Sequence, residues 1–219
     1  MRPLRMRPAP TRSPLARLCR PSRPVKAVLA ALAVASALSL AGCDGVGATP
    51  TPQYTAVPIG ATPWPNGTTG QYGLRIDPSL LTRLPKFVGA QPIVEDAESE
   101  IVAMGNADLA KTFDGYVAAK AGEIADDNWL ALVIGHFTPE NQTADFYSAW
   151  VDQYAAAGCS QASAVTATNQ ETVGDFVVDE ATCGGGPTVF TLHLDSGVVL
   201  SMVSDGPLDF GRQLIKAIY

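Results

Sequence analysis

The chain has 219 residues, 47% of them hydrophobic, and a formal charge of −6. That average hides an asymmetry: eight of the 15 cations lie within the first 26 residues, while all 21 acids lie at or beyond Asp44. Beyond Gly42, seven cations therefore face 21 acids, a net −14, which excludes the basic footprint of a nucleic-acid binder and disfavours adhesion to anionic headgroups.

Arg2, Arg5, Arg7, Arg12, Arg17, Arg20, Arg23 and Lys26 precede Ala27 to Gly42, a stretch that is apolar apart from Ser36 and Ser39. Cations, a short apolar run and small residues at its end are the layout of a secretory signal. The run is shorter than the roughly 20 residues of a membrane-spanning helix. The cations are expected to stay on the cytoplasmic side. Met1 and Met6 are alternative starts, and either leaves this layout intact.

The run ends in Leu40-Ala41-Gly42-Cys43, which resembles the lipobox of bacterial lipoproteins. The resemblance implies acylation of the Cys43 thiol, of the palmitate kind, and cleavage before Cys43. It also implies a mature chain held by its lipid on the outer face of the cell membrane. The alternative is an ordinary cleaved signal with an incidental cysteine. On the lipoprotein reading residues 1–42 are the signal peptide. Residues 43–73 are the anchor and a stalk, with 5 Pro, 6 Thr and 6 Gly between Asp44 and Gly73. Such a composition buries too little apolar surface to fold.

Residues 74–219 are long enough for one globular domain burying about 70% of its unfolded surface. Leu109, Phe113 and Tyr116/Val117 predict a helix stripe. Residues 92–104 fit helix or strand. Residues 129–137 read Trp-Leu-Ala-Leu-Val-Ile-Gly-His-Phe, an apolar run expected of a strand buried on both faces. Thr138-Pro139 then predicts a helix start, with Phe146, Trp150 and Tyr154 on one stripe and Gly158 as its C-terminal cap. Ala162 to Thr168 and Val173 to Asp179 predict strands joined by an Asn-Gln-Glu turn. Thr188 to Leu194 and Val198 to Ser204 predict a hairpin about Asp195-Ser196-Gly197. Pro207 predicts a final helix carrying Phe210, Leu214 and Ile218. The order implies an α+β domain: a mainly antiparallel sheet of about five strands with helices packed on one face. Its opening, Asp77 to Gly89, loosely resembles that of uncharacterised exported lipoproteins, which implies no activity.

Chemistry is sparse. Cys159 and Cys183 form an even pair in an oxidising compartment, so a disulfide is expected. A redox pair prefers Cys-x-x-Cys, and a zinc site needs more ligands than His136 and His193 supply. Those histidines lack a recognisable nucleophile setting. Cys183-Gly184-Gly185-Gly186-Pro187 lacks the following helix and the lysine of a phosphate loop. Glu95, Asp96, Glu98 and Glu100 could meet Ca²⁺ on a strand face but lack an EF-hand's glycine and spacing, so a solvated acidic edge is expected. Asp126-Asp127-Asn128 reads as a turn. The expectation is a non-catalytic binding, sensor or accessory domain without metal or cofactor, meeting the membrane through its lipid and a protein or small molecule through its surface. A small enzyme with a site built from scattered residues, or a structural envelope protein, is the alternative.

Overall fold

A computed structural model describes residues 67–123, 127–160, 162–195 and 197–218. The signal segment, Cys43, the stalk up to residue 66 and Asp126 lie outside them. A 3-10 helix, Pro78–Arg83, precedes β1 (Phe87–Val88), β2 (Gln91–Pro92), β3 (Val94–Glu95), α1 (Ala97–Met104), α2 (Ala107–Thr112), β4 (Phe113–Ala121) and β5 (Trp129–Phe137). Then follow α3 (Ala144–Cys159), β6 (Val165–Val173), β7 (Phe176–Cys183), β8 (Thr188–Asp195), β9 (Val198–Asp205) and α4 (Phe210–Ala217).

The protein is α+β, with one seven-stranded antiparallel sheet in the order β3-β4-β5-β9-β8-β7-β6 and a separate small hairpin of β1 and β2. The sheet is wider than the expected five strands. One reason is residues 113–121. The helix expected to carry Leu109, Phe113 and Tyr116/Val117 ends at Thr112, and its second half belongs to β4 instead. Phe113, Tyr116, Val117, Ala118 and Ala119 are all buried, so this segment needs cover on two faces, which a helix with one apolar stripe does not provide. The stretch 92–104 resolves into both alternatives, a two-residue strand and then a helix capped by the Asp96 carboxylate on Ser99 N.

Helices cover both faces of the sheet rather than one. Beneath α3, Trp150, Tyr154 and Ala155 pack with Phe113, Phe137, Val133, Val189 and Val199, joined by Ala103 of α1 and Leu109 of α2. On the opposite face Phe210, Leu214 and Ile215 of α4, with Leu80 of the 3-10 helix and Leu84 just after it, pack on Leu130, Leu132, Phe190, Leu200 and Met202. The cause is the doubly apolar central strands, whose alternate residues enter one core and then the other. Gly211 lets α4 approach closely, since a Cβ there would stand 2.4 Å from the Phe190 ring.

Three local expectations shift. Thr138 precedes only a short 3-10 turn at Pro139–Asn141, without a side-chain capping bond, and α3 starts later, capped by the Thr143 hydroxyl on Phe146 N at 3.2 Å. Gly158 lies inside α3, where a Cβ would meet Val189 and Val203 at 2.9 and 3.0 Å; it permits close packing rather than ending the helix. Asn169-Gln170-Glu171 is mid-strand in β6, and the chain reverses at Gly174, whose φ is +62°. The hairpin glycine, Gly197, has φ +84° as predicted. At the domain's start the ordered chain precedes Leu74: Gly67 N donates to Ile76 O at 3.2 Å and Gly70 N to Leu74 O at 2.8 Å.

Cys159 and Cys183 are at disulfide distance, with Cα atoms 5.1 Å apart, within the usual range of about 4.4–6.8 Å. Both are buried. A bridge here ties the last residue of α3 to the last residue of β7, and closing a loop of this size stabilises by about 3 kcal/mol in the chain-entropy description.

Candidate functional site

The site is set by how α3 sits on the sheet. Tyr147, Trp150, Val151, Tyr154 and Ala155 share one face of the helix, at spacings of three and four residues. Trp150 and Tyr154 descend to β9, where Trp150 Nε1 donates to Ser201 Oγ at 2.9 Å and the Tyr154 hydroxyl to Ser201 O at 3.3 Å. Thr191 Oγ1 on β8 reaches Ser201 Oγ at 3.4 Å, so Ser201 gathers the polar tips of Trp150, Tyr154 and Thr191. Tyr147 lies one turn nearer the helix start and meets β7 and β8 instead. Its ring stacks on His193 with centroids 4.0 Å apart, and its hydroxyl donates to Asp179 Oδ2 at 2.8 Å.

A groove of about 390 Å³ opens between this part of α3 and the strands β6, β7 and β8. Tyr147, Ser148, Val151 and Asp152 line the helix side; Thr168, Gln170, Asp179 and Thr191 line the sheet side; Ala181 and Val189 are small enough to leave the space open. Its size is at the lower end of small-molecule sites. Gln170 Nε2 donates to Asp179 Oδ1 at 2.8 Å, so Asp179 is oriented from both sides while each oxygen keeps lone-pair capacity. Three acidic residues, Asp152, Asp179 and Glu180, line the groove with no cation among them, and Glu180 is paired with Arg212. Burial first, and the Asp179 carboxylate second, raise the pKa of Tyr147, so its hydroxyl stays a donor. Burial lowers the pKa of His193, which leaves the ring neutral at pH 7 against the Tyr147 face. The arrangement can accept hydrogen bonds from a donor-rich or cationic group and hold its apolar part on Val151 and Val189.

The residues singled out in the sequence disperse. His193, exposed on β8, stacks on Tyr147 beside the groove. His136 lies elsewhere, with Nδ1 at 2.6 Å from Asp114 Oδ1. Arg75 Nε donates to Asp114 O at 3.4 Å and its Nη2 to Asp77 Oδ2 at 3.1 Å, so Asp114 and His136 belong to a surface polar network. The glycine-rich loop after Cys183 is a turn between β7 and β8. Among the described residues no three His, Cys, Asp or Glu side chains are placed to hold a metal. Asp179, Gln170, Tyr147 and Asp152 were missed. Asp179 and Gln170 are 9 residues apart, and Tyr147 is 32 residues from Asp179, so no short motif carries them.

The acidic segment departs from its expected character. Glu98 is exposed, but Glu100 is fully buried, with Oε1 accepting from Ala118 N at 3.1 Å. Glu100 Oε2, Glu95 Oε1 and the Tyr116 hydroxyl are buried without a hydrogen-bond partner among the described residues. Burial, then the neighbouring Glu95 and Asp96 charges, pushes the pKa of Glu100 up to about 8 against the opposing Ala118 hydrogen bond.

No family model matches the chain, and no curated protein or solved structure matches it.

The Glu100 carboxyl makes a pH prediction. Its folded pKa, about 8, lies above the ordinary 4.5, so the folded state binds more protons between those values. Stability is then greatest below pH 4.5 for this group and falls as pH rises to about 8. Glu100→Gln keeps the acceptor for Ala118 N and cannot ionise. Thermal melts should show the variant gaining on the native protein between pH 5 and pH 8, by on the order of several degrees at the upper end. Parallel melting curves for the two proteins across that range would contradict it.

Proposed function

We propose that the protein is a membrane-tethered extracytoplasmic lipoprotein whose domain binds a small donor-rich ligand, an amine or a polyol, without catalysis. The groove between α3 and β6–β8 carries this reading: it is concave, its lining holds Asp152, Asp179 and Glu180 and no cation, and its central acceptor, Asp179, is held by Tyr147 and Gln170 before any ligand arrives. The tether is supported by the cation-led apolar stretch ending in Leu40-Ala41-Gly42-Cys43 and by the Pro, Thr and Gly-rich residues that follow. The lipid on Cys43 supplies the membrane partner. The acidic domain would be repelled by anionic headgroups, so the lipid alone would hold it at the surface.

A small enzyme remains the second reading, favoured by one observation. Asp114 orients His136 through Nδ1, the relation by which a carboxylate fixes the tautomer of a general base. Among the groove-lining residues neither Asp114 nor His136 appears, so this dyad and the concave site do not coincide.

Two measurements test the proposal. Cys43→Ser should abolish lipid labelling and shift the domain from the membrane fraction to the soluble one, or stall its processing. A normally cleaved variant still retained on membranes would contradict the tether. For the groove, titration with putrescine and with a hexose, followed by backbone amide shifts, should move resonances of Tyr147, Gln170, Asp179 and Thr191 with at least one of the two probes. Asp179→Asn should weaken that binding by about tenfold or more, the effect of losing a charge-assisted hydrogen bond, with unchanged circular dichroism. Shifts confined to other surfaces, or binding indifferent to Asp179→Asn, would overturn the site.

A further inference from the structure

The groove beside α3 holds more charge than its hydrogen bonds answer. Of its three acids, Glu180 accepts from Arg212 Nη2 at 2.5 Å and is neutralised there. Asp179 meets only neutral donors, the Tyr147 hydroxyl and Gln170 Nε2, each at 2.8 Å. Asp152 stands on the exposed rim of the helix wall. Among the described residues no ion pair engages Asp152 or Asp179. His193, kept neutral at pH 7 by burial, adds no positive charge beside them. Two carboxylates are therefore left without a counter-charge in one concave site.

Their placement is linear. α3 and β7 run the same way: Tyr147 meets Asp179 near the start of the helix, and Cys159 meets Cys183 at its end. Asp152 lies five positions beyond Tyr147, about 7.5 Å further along the axis at 1.5 Å per residue. Along that stretch the groove offers hydrocarbon, Val151 and Ala155 from the helix and Ala181 and Val189 from the sheet. An occupant that matches has a positive charge at each end and methylene groups between. A polyol of the same length would leave both carboxylates unanswered and press hydroxyls onto hydrocarbon, which costs free energy where they find no partner. A monoamine would answer one charge of the two.

We propose, on the reading that this groove is a ligand site, that it selects a linear alkane diamine in its doubly protonated form, with one ammonium on Asp179 and the other on Asp152. Asp179 is the end fixed in advance by Tyr147 and Gln170, and Asp152 is the end that selects for the second charge. Alkyl amines are protonated at pH 7, as the lysine side chain is. The acidic domain draws such a dication in, and salt weakens its hold because Asp152 is exposed.

Putrescine, 1-aminobutane and butane-1,4-diol share one chain length and carry two charges, one and none. Titrated into the full chain and followed by backbone amide shifts, putrescine should move Asp152 and Asp179 and bind several-fold more tightly than 1-aminobutane, with the diol weaker again. Asp152→Asn should reduce putrescine to the affinity of 1-aminobutane and leave 1-aminobutane itself little changed, whereas Asp179→Asn should weaken both. Circular dichroism of each variant checks that the fold persists. Equal binding of putrescine and the diol would overturn the diamine assignment, as would Asp152→Asn weakening both amines alike. So would Mg²⁺ alone producing the shifts of putrescine, or groove shifts with a hexose and none with putrescine. Those outcomes leave the groove a ligand site; silence of its resonances to every probe would remove the site as well.

Discussion

The seat of α3 on the sheet is the constraint on which the rest depends. Its middle is held by Trp150 and Tyr154, which reach through the helix–sheet interface to Ser201. Its end is held by Cys159 against Cys183. Between those anchors and the strand β6, which extends beyond the helix, the surface cannot close, and the groove is what remains. The first turn contributes Tyr147, fixed by His193 on its face and Asp179 at its hydroxyl. Thus the same helix supplies the cover for a core and one wall of a site. The small residues below it, Ala181 and Val189, give up packing volume there, and the polar walls above them frame the opening.

The sheet's double burial explains the remaining architecture. Because β5, β8 and β9 send alternate side chains into two cores, helices are needed on both faces, and α4 answers α3 from the opposite face. Arg212 of α4 gathers Glu171, Glu180 and Asp209 and lies over the Phe190 ring at 5.7 Å, so the widest part of the sheet is fastened from beneath as well. The β3–α1 edge is held differently. Glu100 accepts a hydrogen bond from Ala118 N and, protonated up to about pH 8, lies beside Glu95, while the buried Tyr116 hydroxyl has no partner among the described residues. Orphaned buried polar atoms each cost free energy. Local opening is therefore expected to begin at this edge and not at α3.

Much of this was legible from residue order. The strand at 129–137, the hairpin about Gly197 and the helix stripe of Phe146, Trp150 and Tyr154 all carry local signals that tertiary packing then satisfies. The Cys159 and Cys183 pair was legible too, because a chain read as exported, with Cys43 read as acylated, leaves this even pair few alternatives. What was hidden depends on distant partners. Residues 113–121 carry apolar side chains whose helical spacing misleads until β3 and β5 flank them. Asn169-Gln170-Glu171 has turn composition, but Glu171 is drawn to Arg212 and Gln170 to Asp179, which favours extended strand there. Glu100 resembles its exposed neighbour Glu98, and only the helix phase of α1 separates them. The groove was invisible for a related reason: Tyr147, Gln170 and Asp179 come from three elements and meet only in the folded chain.

Native-state hydrogen exchange, with the disulfide intact and then reduced, tests most directly whether α3 is a pinned wall. With the disulfide intact, the amides of Trp150 to Tyr154 should be protected nearly as well as those of β5 and β9, and those of α1 should exchange first. After reduction, protection in the C-terminal half of α3 should fall by tenfold or more, as expected when a bridge worth about 3 kcal/mol is removed, while the central strands fall less. Unchanged protection of α3 on reduction, or α3 exchanging before α1 with the disulfide intact, would contradict the account.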